Sequence, residues 1–230
     1  MTPESIAECQ DHFGSYFLAV NPDLEYYRWQ QEVVAPQLDK VITGEIDRIA
    51  LIVPFQMGKS EFCTIHFAAF WLGHYPKTKV MSLSYNAALA EDFGYKVREI
   101  MNSDTHLEIF PGSALREDSK SKRVFHTEAG GLYFANGFQG GINGRGATVA
   151  IIDDPNKNRQ EAMSEAVQRR HRDIYKSTIR TRLQPGGRII IVSTPWVPGD
   201  LLGWRLKQDG AIDVVRGGNF RYDSTMEEVA

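Results

Sequence analysis

Three consecutive residues, Gly58, Lys59 and Ser60, have the types and the order that bind phosphate. They follow an apolar run at 49–53 and precede a segment with helical spacing. In such a strand–loop–helix unit, the N–H groups of the loop and of the helix N-terminus form a concave surface for phosphate oxygens. Lys59 would reach the β- and γ-phosphates of ATP, and the Ser60 hydroxyl would ligate Mg²⁺. The predicted nucleotide contacts in this loop are Gln56, Met57, Gly58, Lys59, Ser60 and Glu61.

The match to the full phosphate-loop pattern is incomplete. In the pattern G-x-x-x-x-G-K-S, Val53 occupies the position of the first glycine. A chance Gly-Lys-Ser triplet at a helix start is therefore the alternative to a phosphate loop. The strand expected before the triplet and the helix expected after it favour phosphate binding.

A pair of carboxylates strengthens this interpretation. Residues 148–152 form a short apolar, β-branched run, which is typical of a buried parallel strand. The run ends in Asp153 and Asp154, and open α/β sheets bind their ligands at the carboxyl ends of strands. Asp153 would hold Mg²⁺, and Asp154 would orient or deprotonate the water that attacks the γ-phosphate. An Asp-Pro turn explains one aspartate but not the pair, so nucleotide hydrolysis is the favoured function.

The composition is that of one globular α/β domain. The chain has 230 residues, and its 42% hydrophobic content supports a sizeable core. No apolar stretch approaches the ~20 residues that span a bilayer. The first residues show neither the basic nor the apolar segment of an export signal. The two cysteines cannot build a disulfide framework, and Cys63 is expected to be a buried thiol in a reducing compartment.

Hydrophobic periodicity predicts strands that alternate with helices, which indicates a mainly parallel sheet with right-handed crossovers. Strands are expected at 48–53, 79–84, 124–127, 132–135, 148–153, 188–193 and, as an edge strand, 211–215. Helices are expected at 59–71, 87–101 after an Asn86 cap, 159–182 and 200–208, and 103–121 is expected to be irregular. The predicted organisation is a helical lead-in at 1–47, a core at 48–216 and a linker or tail at 217–230.

Positive charge is concentrated late in the chain, although the net charge is −3. On a helix, one face would carry Arg169, Arg172, Lys176 and Arg180, and the opposite face would carry Val167, Ile174 and Thr178. Three interpretations of the cationic face stay open. It is a solvated surface, a contact to a phosphate backbone, or a subunit edge offered to a neighbouring nucleotide.

Four segments, in this order and spacing, resemble the large terminase subunit of tailed bacteriophages, the ATPase that pumps genomic DNA into a procapsid. They are PFQMGKSE, WLGHYPKTKVMSLSYNAALAEDFGYKVREIM, GGINGRGATVAIIDDP and IIIVSTPWVPGDLLGW. The resemblance covers residues 25–205 and implies a P-loop NTPase fold of the additive-strand, catalytic-glutamate (ASCE) type. In that family a nuclease domain follows the ATPase domain. Residues 217–230 are therefore expected to lead toward an absent nuclease domain, and no nuclease activity is expected from this chain.

The resemblance implies roles for the phosphate-loop and carboxylate residues. Lys59 and Ser60 match the Walker A pair, and Asp153 matches the Walker B carboxylate that holds Mg²⁺. Asp154 matches the catalytic carboxylate, for which many relatives use glutamate. Because aspartate is shorter by one methylene, the backbone must place it closer to the water.

Two further roles are implied by the resemblance. Gln30, after Trp29, resembles the glutamine that hydrogen-bonds adenine, and the alternative is a surface glutamine on a helix. Thr194, in Ser193-Thr194-Pro195, resembles the coupling motif that senses the γ-phosphate, and the alternative is a turn at a strand end.

The phosphate loop departs from the family at one point. Relatives commonly carry an arginine two or three residues before the glycine, where this chain has Phe55 and Gln56. Arg145, between Gly144 and Gly146, is the strongest substitute and would act as a finger for the neighbouring subunit's nucleotide. Arginine fingers are worth roughly 10³–10⁵ in turnover in related NTPases. The alternative is an arginine in a glycine turn that contacts DNA or nothing.

The resemblance implies a set of partners and a location. They are double-stranded DNA, the portal protein, the small terminase subunit and other copies of this chain. The copies are expected to form a homo-oligomeric ring, a pentamer, on the procapsid and to be mostly monomeric in isolation. No membrane partner is expected, and the host cytoplasm is the expected location.

Other functions remain possible on the residues alone. Another P-loop translocase or a helicase would share the nucleotide chemistry but would need further motifs after residue 205. A DNA- or capsid-docking module with a vestigial nucleotide site would not need Lys59, Ser60, Asp153 and Asp154 together. A small-molecule kinase would need an acceptor-binding lid, which nothing in the sequence resembles.

Overall fold

The computed structural model describes residues 1–23, 28–142, 144–207 and 213–216. Its strands are β1 (Arg48–Ile52), β2 (Lys79–Ser84), β3 (Val124–His126), β4 (Leu132–Gly137), β5 (Ala147–Asp153), β6 (Leu183–Ser193) and β7 (Asp213–Arg216). These described strands form one sheet in the order β3-β4-β2-β5-β6-β1-β7. β3 and β4 pair antiparallel, and the other described pairs are parallel.

The described helices are α1 (Pro3–Asp11), α2 (Phe13–Val20), α3 (Ala35–Thr43), α4 (Phe67–His74), α5 (Ala87–Met101), α6 (Asp104–Ile109), α7 (Arg159–Met163), α8 (Glu165–Asp173), α9 (Arg180–Arg182) and α10 (Leu201–Leu206). π-helical turns at Gln30–Val34, Ser60–His66 and Ile174–Ile179 continue into α3, α4 and α9, and a 3₁₀ turn spans Pro111–Ser113. No described helix is long and apolar enough to cross a bilayer.

Helices cover both faces of the sheet, as a mainly parallel sheet requires. One core contains side chains of the N-terminal helices, such as Phe13 and Tyr16, packed with Phe62, Phe67 and Phe70 of the segment after β1. The other core joins the opposite strand faces to side chains of the 165–206 helices. The described part of the predicted lead-in thus packs directly on the sheet, while the division into lead-in, core and tail stays a prediction.

The predicted strands and the Asn86-capped helix are confirmed within the described residues. Two predictions are wrong. Residues 103–121 are not all irregular, because Ser103 caps α6 through its hydroxyl, which accepts from His106 N. The helix predicted at 159–182 is interrupted, because Ser164 ends α7 and caps α8. The tail at 217–230, Tyr26, Tyr27 and residues 208 and 211–212 lie outside the described residues.

β6 also begins earlier than predicted. It starts at Leu183 instead of residue 188 and includes the Pro185-Gly186-Gly187 segment. The pairing with β5 shifts register between Ala147 and Val149, so the turn residues are accommodated as an irregularity within the strand.

Strand order brings the candidate residues together. β6 lies between β1 and β5, with Leu51 opposite Val192 and Ile152 opposite Ile191. All three strands run in the same direction, so their carboxyl ends meet at one end of the sheet. The phosphate loop, Asp153 and Thr194 are therefore adjacent in space despite their separation in sequence.

Candidate active site

The predicted phosphate loop has the backbone conformation expected of an anion cradle. Gly58 has φ +67° and Gln56 has φ +58°, so the loop twice enters the left-handed region. Only glycine enters that region without steric cost, and turns of this kind point successive N–H groups to one side. The helix begins directly after Gly58, whose carbonyl accepts from Phe62 N at 3.0 Å.

Lys59 is nearly buried, and its ammonium group pairs with a carboxylate of the same chain. Its ammonium lies 2.8 Å from Oδ2 of Asp154, with 8% of the lysine side chain and 18% of the aspartate side chain exposed. The same ammonium lies 5.2 Å from the centre of the Phe55 ring, which packs on Trp196. The lysine is thus covered on one side by an aromatic ring and is paired on another with the proposed catalytic carboxylate.

Asp154 is fixed by the neighbouring strand β6. Its backbone N–H donates to Val192 O at 2.9 Å, and its Oδ1 accepts from Thr194 N at 2.9 Å. Its φ of +38° is rare for a residue other than glycine, and such strain is found at functional sites. Both carboxylate oxygens therefore have partners, one in the predicted phosphate loop and one directly after β6.

Thr194 connects this carboxylate to the strand that precedes the phosphate loop. Its hydroxyl donates to Val53 O at 2.9 Å, and Val53 N donates to Ser193 O at 3.3 Å. Thr194 is 5% exposed, so its contacts are buried. The predicted coupling residue lies at the junction of β1, β6 and Asp154, although its hydroxyl is bonded to backbone in this conformation.

Asp153 is a buried carboxylate with two hydroxyl neighbours. It is 2% exposed, and its Oδ2 accepts from the Thr64 hydroxyl at 2.7 Å. Burial, and then the negative charge of Asp154, raise the pKa of Asp153 to about 6, against the lowering effects of hydrogen bonds from Thr64 and Ser60 and of the Lys59 charge. A divalent cation would favour the ionised form.

The donor set at Asp153 fits Mg²⁺. One buried carboxylate and the Ser60 hydroxyl are oxygen ligands, and Mg²⁺ usually takes one or two protein ligands with water and phosphate oxygens. No cluster of three His, Cys, Asp or Glu side chains suited to a metal occurs in the part of the chain that the structure describes. A cation here would therefore depend on its phosphate ligands.

Comparison with known proteins bears on the fold. The large terminase of bacteriophage HK97 superposes on this chain with a TM-score of 0.58 and covers 93% of it, at 15% sequence identity. The chain has the fold of a phage large terminase. It spans 43% of the length of the HK97 protein. No known family profile and no curated protein sequence matches the chain. The resemblance stated from the sequence is therefore confirmed at the level of the fold.

Gln30 and Glu61 are placed near the loop but contact protein groups. Gln30 is 2% exposed and its amide donates to Met57 O at 3.2 Å, so it is not a surface glutamine. Glu61 lies 2.6 Å from the Lys96 ammonium. The adenine contact of Gln30 and the nucleotide contact of Glu61 stay predictions.

Arg145 is the predicted site residue that the structure places away from Lys59, Asp153 and Asp154. Its backbone precedes β5, whereas Asp153 ends β5, and this strand is roughly 20 Å long at about 3.3 Å per residue. Its guanidinium lies 5.7 Å from the centre of the Phe134 ring, beside a cavity of about 320 Å³ that Arg123 also lines. Arg145 is exposed. Within one chain its side chain lies beside β4, which β2, β5 and β6 separate from β1.

Sequence reasoning missed two residues that contact the site. Thr64 follows Ser60 by four residues, and that helical spacing is the available signal for its contact to Asp153. From the sequence, Phe55 stood out only because relatives commonly have an arginine at this position or the next. In the structure it lies against Lys59. Its packing on Trp196 joins segments far apart in sequence and leaves no local signal.

The predicted faces of the basic helix need correction. The buried side chains are His171, Tyr175 and Ile179, whereas the residues predicted opposite the cations are only half-buried. Arg172 is not on an open cationic face, because its guanidinium donates to Gly199 O at 2.7 Å. Arg180 and Lys176 are exposed as predicted.

Proposed function

We propose that this chain is a Mg²⁺-dependent ATPase of the ASCE P-loop class. The observation that carries the proposal is the contact of Lys59 with Asp154, 2.8 Å apart, beside the buried Asp153. This trio joins the lysine of the predicted phosphate loop to two carboxylates at the end of β5, which β6 separates from β1. An additive strand between the phosphate-loop strand and the carboxylate strand is the arrangement that this class requires.

The chain's own groups suggest how the reaction would be controlled. Lys59 on Oδ2 and Thr194 N on Oδ1 each give an Asp154 oxygen one partner, so an attacking water must compete with Lys59 for Oδ2. A γ-phosphate in the loop would attract the Lys59 ammonium, since its charge offsets that of the phosphate oxygens. Oδ2 would then be free to take the proton of the attacking water, while Thr194 N keeps the carboxylate oriented. Mg²⁺, when bound at Ser60 and Asp153, would neutralise charge on the phosphates.

We further propose that hydrolysis powers movement of double-stranded viral DNA into a procapsid. The large-terminase fold supports this function over that of other P-loop translocases and of a docking module. The proposal includes a ring of identical subunits on the portal protein, the small terminase subunit as partner, and the host cytoplasm as location. If Arg145 completes a neighbour's site, the isolated chain would be a weak ATPase whose activity per subunit rises with concentration.

The test is steady-state phosphate release from ATP by the purified chain with Mg²⁺. Lys59→Ala should lower turnover at least ~10²–10³-fold, because a charge aimed at the phosphates is removed. Lys120→Ala removes an exposed lysine outside the candidate site and should leave turnover unchanged. Near wild-type hydrolysis by folded Lys59→Ala would show that the loop assignment is wrong.

A further inference from the structure

A group of four cationic side chains lies away from the candidate active site. We call it the basic patch, and its members are Arg48, Lys176, Arg180 and Arg205. Arg48 is the first residue of β1, so the patch lies at the amino end of the strand whose carboxyl end leads to the phosphate loop. Lys176 and Arg180 are exposed, and Arg48 and Arg205 are half-buried.

Aromatic packing holds the patch together. The Arg205 guanidinium lies 5.6 Å from the centre of the Tyr175 ring, and the Lys176 ammonium lies 5.1 Å from the centre of the Trp204 ring. The two rings meet edge to face at 5.8 Å. Tyr175 is 2% exposed and anchors the cluster in the core. Lys176 and Arg205 are thus held against packed aromatic rings instead of extending independently into solvent.

The patch has an excess of positive charge without internal neutralisation. Within the described residues, none of its four cations forms an ion pair with a carboxylate. Arg48 donates instead to the carbonyls of Asp47 and Gly187. Burial, with smaller contributions from Arg180 and Arg205, lowers the pKa of Arg48 despite the opposing effects of Tyr175 and Asp47. Glu45 and Asp173 are the other carboxylates close to patch residues in sequence, and both are exposed.

An unneutralised group of cations is a binding surface for an anion that carries several charges. The phosphodiester backbone supplies such charges at regular intervals, and arginine and lysine contact it without reading sequence. We infer that the basic patch binds the sugar-phosphate backbone of double-stranded DNA. This inference takes the duplex as ligand from the proposed function and adds the surface that contacts it. It separates the DNA contact from the nucleotide site by the length of a strand.

The experiment measures binding of a fluorescently labelled DNA duplex to the full chain by anisotropy over a range of salt concentrations. The test variant is Lys176→Ala/Arg180→Ala, which removes the two exposed patch cations. The control variant is Arg116→Ala/Lys120→Ala, which removes the same charge from another exposed surface. Each lost phosphate contact should lower the slope of log K against log salt by about 0.9, so the patch variant should lose about two units. The control should keep the wild-type slope.

Several results would overturn the inference. Wild-type slope in the patch variant, or an equal loss in both variants, would show that DNA does not bind at this patch. Loss of binding to poly-glutamate but not to the duplex would identify an acidic protein surface as the partner instead.

Phosphate release without DNA, measured on the same samples, separates the two proposals. If the wild-type chain binds the duplex through the patch but does not hydrolyse ATP, the ATPase proposal fails and the patch stands. If it hydrolyses ATP but does not bind the duplex, the patch assignment fails alone.

Discussion

The two ends of the sheet differ in whether their charged side chains are paired. At the carboxyl end, Lys59 pairs with Asp154, and Asp153 accepts from Thr64. At the amino end, Arg48 and Arg180 lie near one another without a paired carboxylate among the described residues. A ligand at the first end must displace an internal contact, whereas a ligand at the second end meets cations that are already available.

This difference suggests a division of labour. If the proposed nucleotide site is correct, Lys59 and Asp154 neutralise each other until a nucleotide binds. An unneutralised surface attracts an anion at any time, with an affinity that falls as salt rises. Under this interpretation, the nucleotide site and the DNA-contacting patch lie at opposite ends of the same strands.

The largest expected effect tests whether Arg145 serves the carboxyl-end site of a neighbouring subunit. Arg145→Ala should bind ATP normally yet hydrolyse it roughly 10³-fold more slowly, because the charge on the leaving γ-phosphate lacks its partner. Mixing this variant with Lys59→Ala should restore some turnover. In mixed assemblies, the intact Arg145 of a Lys59→Ala subunit can reach the intact Lys59 of an Arg145→Ala subunit.

The matched control is Arg123→Ala, an arginine on the same cavity that pairs with Asn136 and Glu91. Its turnover should stay near wild type. A mixture of Arg145→Ala and Lys59→Ala that stays inactive where wild-type subunits assemble would rule out action in trans.

The second effect concerns the two adjacent carboxylates. Asp154→Asn should bind ATP but turn over at least ~10²-fold more slowly, as expected for loss of a general base. Asp153→Ala should instead lose Mg²⁺-dependent nucleotide binding, because the buried carboxylate that would ligate the ion is removed. Titration with a fluorescent nucleotide beside phosphate release distinguishes the two. Equal effects of both variants on both quantities would contradict the division of roles.

The smallest effect uses a region distant from both ends as a reference. His106 is fully buried and bonds Tyr16 OH at 2.7 Å and Ser113 Oγ at 2.9 Å. Burial lowers its pKa to about 4. Below about pH 6.5, His106 is protonated in the unfolded chain but stays neutral in the folded chain. The free energy of unfolding therefore falls as the pH drops from 6.5 to 4.

Between pH 8 and pH 5, His106→Asn should remove about 2 kcal/mol of this loss in the free energy of unfolding, although it should also lower stability at pH 8. Asparagine Oδ1 can still accept from the Tyr16 hydroxyl. Denaturant titrations at pH 5 and pH 8 measure the difference for both proteins. His171, whose pKa is also lowered to about 4 by burial, keeps a residual slope in the variant. An unchanged pH dependence would show that His106 does not carry the effect.

Local patterns were sufficient for most elements. The apolar run before Gly58, the Asn86 cap and the run ending at Asp153 each predict their element, because strand period, capping and turn chemistry are properties of short segments. The exceptions, α6 and the break at Ser164, depend on single capping hydroxyls within polar stretches that carry little periodic signal. The types and the order of Lys59, Ser60, Asp153 and Asp154 were enough to predict a nucleotide site.

Only the tertiary structure decided which of these residues meet. The contacts of Lys59 with Asp154, and of Thr194 with both Asp154 and Val53, exist because β6 lies between β1 and β5, and strand order is not encoded in any local window. The same is true of the basic patch. Arg48 and Arg205 lie at distant points of the sequence, and the packing of Tyr175 on Trp204 brings them to one surface. Sequence determined which chemistry is available, and long-range packing determined where it acts, because side chains far apart in the chain meet only when the whole sheet forms.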